Sequence, residues 1–208
     1  MKYKLMAFDM DGTLLTEESS WGKLHRHFGT FEESLRNMID YETGKTTYDE
    51  FMRRDIALWK PRPHISTIRK VLLDYSLVPN AKYVMTTLRK KKYRLALVTT
   101  ALDILANAVA SELQIDDVLA NGVMIDKDGY LTKEVIFRVD LMKKEKAFNK
   151  LIKSVGLTKE QCVAVGDSKY DFGFLKNAGL GVAFKNETEL SSVADVTIKD
   201  LKELLDFL

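Results

Sequence analysis

Three short, mostly apolar runs, each ending in a cluster of polar residues, limit this chain more than any other feature. Tyr3-Lys4-Leu5-Met6-Ala7-Phe8 leads into Asp9-Met10-Asp11-Gly12-Thr13, Leu95-Ala96-Leu97-Val98 into Thr99-Thr100, and Cys162-Val163-Ala164-Val165 into Gly166-Asp167-Ser168. Apolar runs this short have the length of buried strands. Between them lie helix-period patterns, such as that of Ala81, Val84, Met85 and Leu88, which starts at Pro79 and closes on Arg89-Lys90-Lys91-Lys92, cations suited to a helix C-terminus. Strands alternating with helices predict an α/β fold with a parallel sheet. Ligands of such sheets bind beyond the carboxyl ends of the strands, where the three polar clusters would converge.

Residues 16–79 read differently. Helical stretches cover Phe31 to Tyr41 and Tyr48 to Trp59 with no convincing strand, which predicts an inserted helical subdomain. Its expected limits are the polar Thr16-Glu17-Glu18-Ser19-Ser20 run and Val78-Pro79. Trp21, Phe28, Phe31, Met38, Phe51, Met52 and Trp59 are spaced as its core, some of them available to face a ligand as an apolar lid. Asp126-Lys127-Asp128-Gly129 between apolar flanks predicts a hairpin turn.

Composition narrows the function classes. The 208 residues carry 32 Lys+Arg against 30 Asp+Glu, so no electrostatic reason exists to bind nucleic acid or an anionic membrane surface, while a compact anionic substrate is compatible. Cys162 is the only cysteine, which rules out an intrachain disulfide and a cysteine zinc site and fits a reducing compartment. The apolar residues before Asp9 are too few for a signal peptide and no long apolar run follows, so a cytoplasmic location is expected. His25 and His27, flanking Arg26 without a third ligand, read as surface side chains rather than a zinc site.

Singly, Asp9 and Asp11 read as turn residues, and Asp167 and Asp171 as loop and helix-cap residues. Together, four acids at adjacent strand ends would repel one another and call for a cation, and an oxygen-rich set suits magnesium. Thr99 offers a hydroxyl at the same crevice, and Lys144 lies in a lysine-rich helical stretch whose default reading is a solvated face.

The order of these elements is Asp-x-Asp-Gly-Thr, a strand ending in Thr99, a helical lysine, and a strand ending in Gly166-Asp167-Ser168-x-x-Asp171. This set resembles all four motifs of the haloacid dehalogenase-like hydrolase superfamily, and within it the phosphoserine phosphatase branch. The resemblance implies a Rossmann-like parallel sheet flanked by helices in three layers, built from residues 1–15 and 80–208, with residues 16–79 as a small helical cap between the first and second motifs. It further implies a Mg²⁺-dependent phosphatase acting on a small phosphorylated metabolite, phosphoserine or similar, as a monomer or homodimer. Asp9 would be the nucleophile that forms an aspartyl-phosphate and Asp11 the acid-base partner. Thr99, the Thr100 N–H and the N–H groups of the Asp9 to Asp11 loop, Met10 among them, would bind the phosphoryl oxygens. Lys144, in preference to Lys143 or Lys146, would neutralise charge. Asp9, Asp167 and the Asp11 carbonyl would hold Mg²⁺, with Asp171 as a ligand or its support. A phosphotransferase passing the group to an alcohol, and a catalytically silent binding module, are the competing readings.

The resemblance departs from its pattern in the cap. Glu18 matches the branch's amine-binding acid, but Asp55 stands where the branch has a carboxylate-binding arginine, with Arg53 and Arg54 just before it as candidate replacements. The branch's serine and Gly-Gly at the second motif are Thr99 and Thr100-Ala101 here.

Overall fold

The computed structural model describes residues 2–185 and 188–208. Its chain order is β1 (Leu5–Phe8), α1 (Ser20–Phe28), α2 (Phe31–Glu42), α3 (Tyr48–Leu58), α4 (Ile65–Leu72), α5 (Ala81–Lys90), β2 (Arg94–Leu102), α6 (Asp103–Leu113), β3 (Asp117–Ile125), β4 (Leu131–Ile136), α7 (Lys144–Ser154), β5 (Cys162–Gly166), α8 (Phe172–Lys176), β6 (Leu180–Phe184) and β7 (Val196–Ile198). The strands form one sheet in the order β4-β3-β2-β1-β5-β6-β7, parallel throughout except for β4, which runs antiparallel to β3. β1 lies at the centre, pairing with β2 on one side and β5 on the other.

Side-chain alternation splits the core into two layers. Met6, Phe8, Leu95, Leu97, Val163 and Val165 pack with Val84, Met85 and Leu88 of α5 and Leu105, Ala106 and Val109 of α6. Leu5, Ala7, Ala96, Val98 and Ala164 pack on the other face against Phe148 and Leu151 of α7 and Phe174 and Leu175 of α8. The four residues of β1 are fully buried, as expected of a central parallel strand covered on both faces. The predicted hairpin is present: Asp126 Oδ1 accepts from the Asp128 and Tyr130 N–H groups and closes the turn between β3 and β4.

Helices α1 to α4 occupy the segment read as an insertion. The chain leaves and re-enters the sheet domain through two adjacent stretches, with Thr16 N donating to Ser76 O, Val78 N to Leu14 O, and Leu15 bridged antiparallel to Leu77. Trp21, Phe51, Met52 and Trp59 are buried in this helical layer, and Phe28 and Met38 are packed against it. One expectation fails here: His25 is not a surface residue but is 1% exposed, its ring against Trp59. The reason is helical periodicity, which puts His25 on the same face of α1 as the buried Trp21 and Leu24.

Candidate active site

Strand ends supply the reactive groups. Asp9 follows β1, Thr99 lies near the carboxyl end of β2, and Asp167 follows β5, so the parallel sheet delivers all three to one edge. After Asp9 the chain coils around the Met10 carbonyl, which accepts from the N–H groups of Thr13, Leu14 and Leu15. Gly12 sits in this coil with φ of 76°, and a Cβ there would lie 2.2 Å from Asp167 Oδ2. Glycine is thus required twice over, by backbone conformation and by the approach of a second acid. Thr13 Oγ1 donates to Asp167 Oδ1 at 2.7 Å and ties the two loops together.

Lys144 opens α7 and is buried, whereas Lys143 and Lys146 are exposed. Its Nζ donates to Asp9 Oδ1 and to Asp171 Oδ1, both at 2.7 Å. Burial pulls the Lys144 pKa down, but Asp171 and Asp9 outweigh it and hold the ammonium well above the ordinary lysine range. Asp171 Oδ2 accepts from the Asp167 N–H, the Ser168 N–H and the Ser168 hydroxyl. With Lys144 on its other oxygen, this carboxylate accepts four hydrogen bonds, three of them on Oδ2.

Asp9 and Asp167 stand under electrostatic stress. Burial, with the neighbouring acids, pushes Asp9 up against the pull of Lys144. Burial likewise carries Asp167 up to about 6, opposed by its bond from Thr13 and reinforced by the charge of Asp171. One oxygen from each of Asp9, Asp167 and Asp171 lies within 4.8 Å of the others. Two buried acids and a half-buried one at this spacing, all hard oxygen donors beside a glycine coil that admits no side chain, fit a small divalent cation.

Asp11 is held differently. Its Oδ2 accepts from the backbone N–H and the hydroxyl of Ser20, at 2.7 and 2.6 Å, at the start of cap helix α1. Its Oδ1 is buried and has no hydrogen-bond partner among the described residues. Burial raises the Asp11 pKa, and the two bonds from Ser20 oppose the rise. Thr99 Oγ1 accepts from the Ala101 N–H, which leaves its hydroxyl proton free for a ligand. The Thr100 carbonyl accepts from the indole N–H of Trp21, linking cap to sheet.

The family follows from a sequence comparison: the profile described as haloacid dehalogenase-like hydrolase matches residues 6–176. The chain belongs to that family. The phosphoserine phosphatase of Methanocaldococcus jannaschii is 31% identical over 212 residues, spanning 100% of this chain and 98% of that protein. A phosphoserine phosphatase of Archaeoglobus fulgidus is 27% identical over 94% of this chain, which spans only 56% of that longer protein. Among solved structures, a phospho-aspartyl intermediate analogue of phosphoserine phosphatase superposes with a TM-score of 0.81 at 30% identity, over the full length of both chains. Phosphoserine phosphatase in apo form gives 0.83 at 28% identity, again over both full lengths. As a haloacid dehalogenase-like hydrolase, the chain is an enzyme with an α/β core of the kind its motifs predict.

Around the acids of this hydrolase lies a cavity of about 160 Å³ lined by Asp9, Asp11, Thr99, Thr100, Lys144 and Asp167, with Glu18, Ser19 and Trp21 of the cap entry and Met38, Tyr48 and Phe51 of α2 and α3. Glu18 therefore reaches the site. Met10 lies in the Asp9 coil with its side chain fully buried. Arg53 and Arg54 do not line this cavity: Arg53 is paired with Asp49 at 2.8 Å, and Arg54 with Glu50 and Asp40 at 3.3 and 3.4 Å, on the half-exposed outer side of α3. Sequence reading passed over Ser20 and Asn121. Asn121 is fully buried; it donates to the Thr100 and Val139 carbonyls and accepts from the Arg138 and Val139 N–H groups. It thereby anchors the segment leading to Lys144 against the end of β2. It sits at the centre of β3, and its partners lie across the sheet and in the segment after β4, so no local pattern marked it.

Proposed function

We propose that this hydrolase removes phosphate from a small phosphate monoester of about the size of phosphoserine, the substrate named for its relatives, through an aspartyl-phosphate on Asp9. Kinship with those phosphatases makes it a hydrolase acting on phosphate monoesters. The observation that carries the residue assignment is the buried Asp9–Lys144–Asp171 chain beside Asp11, whose Oδ1 is unpartnered among the described residues.

Asp9 Oδ1 is fixed by Lys144, which orients the carboxylate so that its other oxygen attacks phosphorus in line. Thr99 donates its hydroxyl proton, and the Thr100 and Met10 N–H groups their amide protons, to oxygens whose charge grows in the transition state. Asp11, kept protonated to higher pH by burial, gives its proton to the departing alkoxide and then takes one from the water that cleaves the acyl phosphate. Ser20 fixes Asp11 Oδ2, so the transfers fall to Oδ1. Asp9 and Asp167, with the Asp11 carbonyl, would hold Mg²⁺, and Asp171 supports Lys144 and the Asp167 loop. Bound there, the ion supplies charge neutralisation for a phosphate dianion entering a site rich in carboxylates.

The test is phosphate release from p-nitrophenyl phosphate, with Mg²⁺ and with chelator, for the native chain and Asp9→Asn. Release should need Mg²⁺ and fall by roughly 10³-fold or more in Asp9→Asn, because the covalent route is removed. Undiminished release by Asp9→Asn would overturn the assignment.

A further inference from the structure

The catalytic cavity is rich in carboxylates and poor in cations. Asp9, Asp11, Glu18 and Asp167 line it, and Lys144, the one basic residue among its lining, is bound to Asp9 and Asp171. A second cavity of about 770 Å³ shares Glu18, Trp21, Met38, Phe51 and Tyr170 with the first and extends into the cap as far as Asp55. Its basic residues are engaged as well. Lys23 Nζ bonds the Asp74 carbonyl, Arg26 pairs with Glu17 at 2.7 Å, and His25 Nε2 faces Asp55 Oδ2 at 3.2 Å. Among the described residues of the two cavities, Lys144, Arg26 and His25 each already face an acid, which leaves Lys23, on the neutral Asp74 carbonyl, as the one basic side chain that a negatively charged group on the leaving alcohol could draw on.

Asp55 strengthens this bias. It is 1% exposed, and its Oδ1 accepts from Asn37 Nδ2 at 2.7 Å. The Trp59 indole N–H, which can only donate, points at His25 Nδ1 at 3.2 Å, and Thr30 Oγ1 lies 2.8 Å from the same nitrogen. Asn37 therefore holds the carboxylate by a hydrogen bond at the cap end of that second cavity, with the His25 ring 3.2 Å from its other oxygen. Trp21, Met38, Tyr48, Phe51 and Leu141 give the rest of the catalytic cavity an apolar wall.

Resting on the phosphatase reading, we infer that the substrate is a phosphate monoester of an alcohol that bears no carboxylate, neutral or ammonium-bearing, and that Asp55 sets this specificity. Desolvating a carboxylate without a cation is costly, and a second carboxylate held nearby raises that cost. The site thus selects by excluding an anion as much as by attracting its own ligand.

Two matched pairs of esters test this: O-phosphoethanolamine against O-phosphoserine, which differ by one carboxylate, and glycerol 3-phosphate against 3-phosphoglycerate. With p-nitrophenyl phosphate cleaved as the control, kcat/KM should favour the carboxylate-free member of at least one pair by about tenfold or more. Equal rates, or preference for the carboxylate-bearing members in both pairs, would overturn the inference while leaving the phosphatase reading intact. If p-nitrophenyl phosphate itself is not cleaved with Mg²⁺ present, the phosphatase reading falls and takes the inference with it. Asp55→Asn, with its fold checked by circular dichroism, should shrink the discriminating ratio about tenfold, mainly through a lower KM for the carboxylate-bearing ester. An unchanged ratio would remove Asp55 from the role. Should that variant not fold, the native ratios still decide the substrate class, and His25→Gln, which alters the group facing Asp55, tests the residue by the same ratio and the same criterion.

Discussion

The two aspartates of the first motif lie two residues apart and meet different surroundings. Asp9 touches the Lys144 ammonium, whereas Asp11 touches only neutral donors from Ser20 and keeps one buried oxygen without a partner among the described residues. Burial raises both, but only Asp9 has a buried ammonium in contact to favour the charged form a nucleophile needs, whereas Asp11, without one in contact, suits a proton carrier. Asp11→Asn keeps the Oδ acceptor for Ser20 but has no proton to give an alkoxide. It should therefore slow turnover of an alkyl phosphate by about 10²–10⁴-fold. Cleavage of p-nitrophenyl phosphate, whose leaving group needs little protonation, should suffer less in a single-turnover burst measurement. An equal loss in the burst for both esters would contradict an acid role for Asp11.

At the scale of elements, the cap is fastened to the sheet domain by hydrogen bonds as well as by apolar contact. Tyr41 at the end of α2 donates its hydroxyl to Asp140 Oδ1 at 2.6 Å and accepts from the Met142 N–H at 3.1 Å. Tyr170 Oη and Lys169 Nζ both donate to Glu42 Oε1, at 2.6 and 2.8 Å. These latches hold α2 over the loop that leads to Lys144 and over the Asp167 loop, so cap position and catalytic geometry are coupled. Tyr41→Phe leaves Met142 N–H with only its bond to Asp140 and strips Asp140 of a donor. The expected cost is about 1–3 kcal/mol, read as a lower urea midpoint with an unchanged slope. A midpoint equal to that of the native chain would show that the latch carries no net stability.

For the whole molecule, the acid cluster should tie stability to pH and to a divalent ion. Asp167 is raised by folding to about 6 from an ordinary value of 3.8, so its contribution is favourable below pH 3.8 and is lost as pH climbs through about 6. Mg²⁺ binding should offset that loss. At a concentration 100 times its Kd an ion specific to the folded state adds about 2.7 kcal/mol, which for a chain of this size raises Tm by roughly 5–10 °C. The rise should be larger at pH 7.5 than at pH 5, where protons compete for the same oxygens, and should vanish in Asp167→Asn. A rise of equal size at both pH values in the variant would place the ion elsewhere. Among the described residues no helix is long and apolar enough to cross a membrane.

Much of this was legible in the linear chain because the deciding signals are local. An apolar run of strand length followed by acids, hydroxyls and glycine marks a strand and its functional end within a dozen residues, and three such units order Asp9, Thr99 and Asp167 along one sheet edge. Lys144 was singled out by resemblance to the family, and its burial distinguishes it from Lys143 and Lys146. Other features depend on partners far apart in sequence. His25, read as a surface residue, is buried because α1 turns that face toward Trp59, and its contact with Asp55 joins residues of two helices. Ser20 on Asp11, Asn121 under Thr100, and the outward ion pairs that keep Arg53 and Arg54 from the cavity follow from packing, not from local pattern. Sequence by itself determined the class of fold and brought forward the strand-end acids and hydroxyls that the sheet gathers at one edge. Tertiary structure alone decided which charges are already paired, because pairing depends on distance and burial, and those arise only when helices close on the sheet.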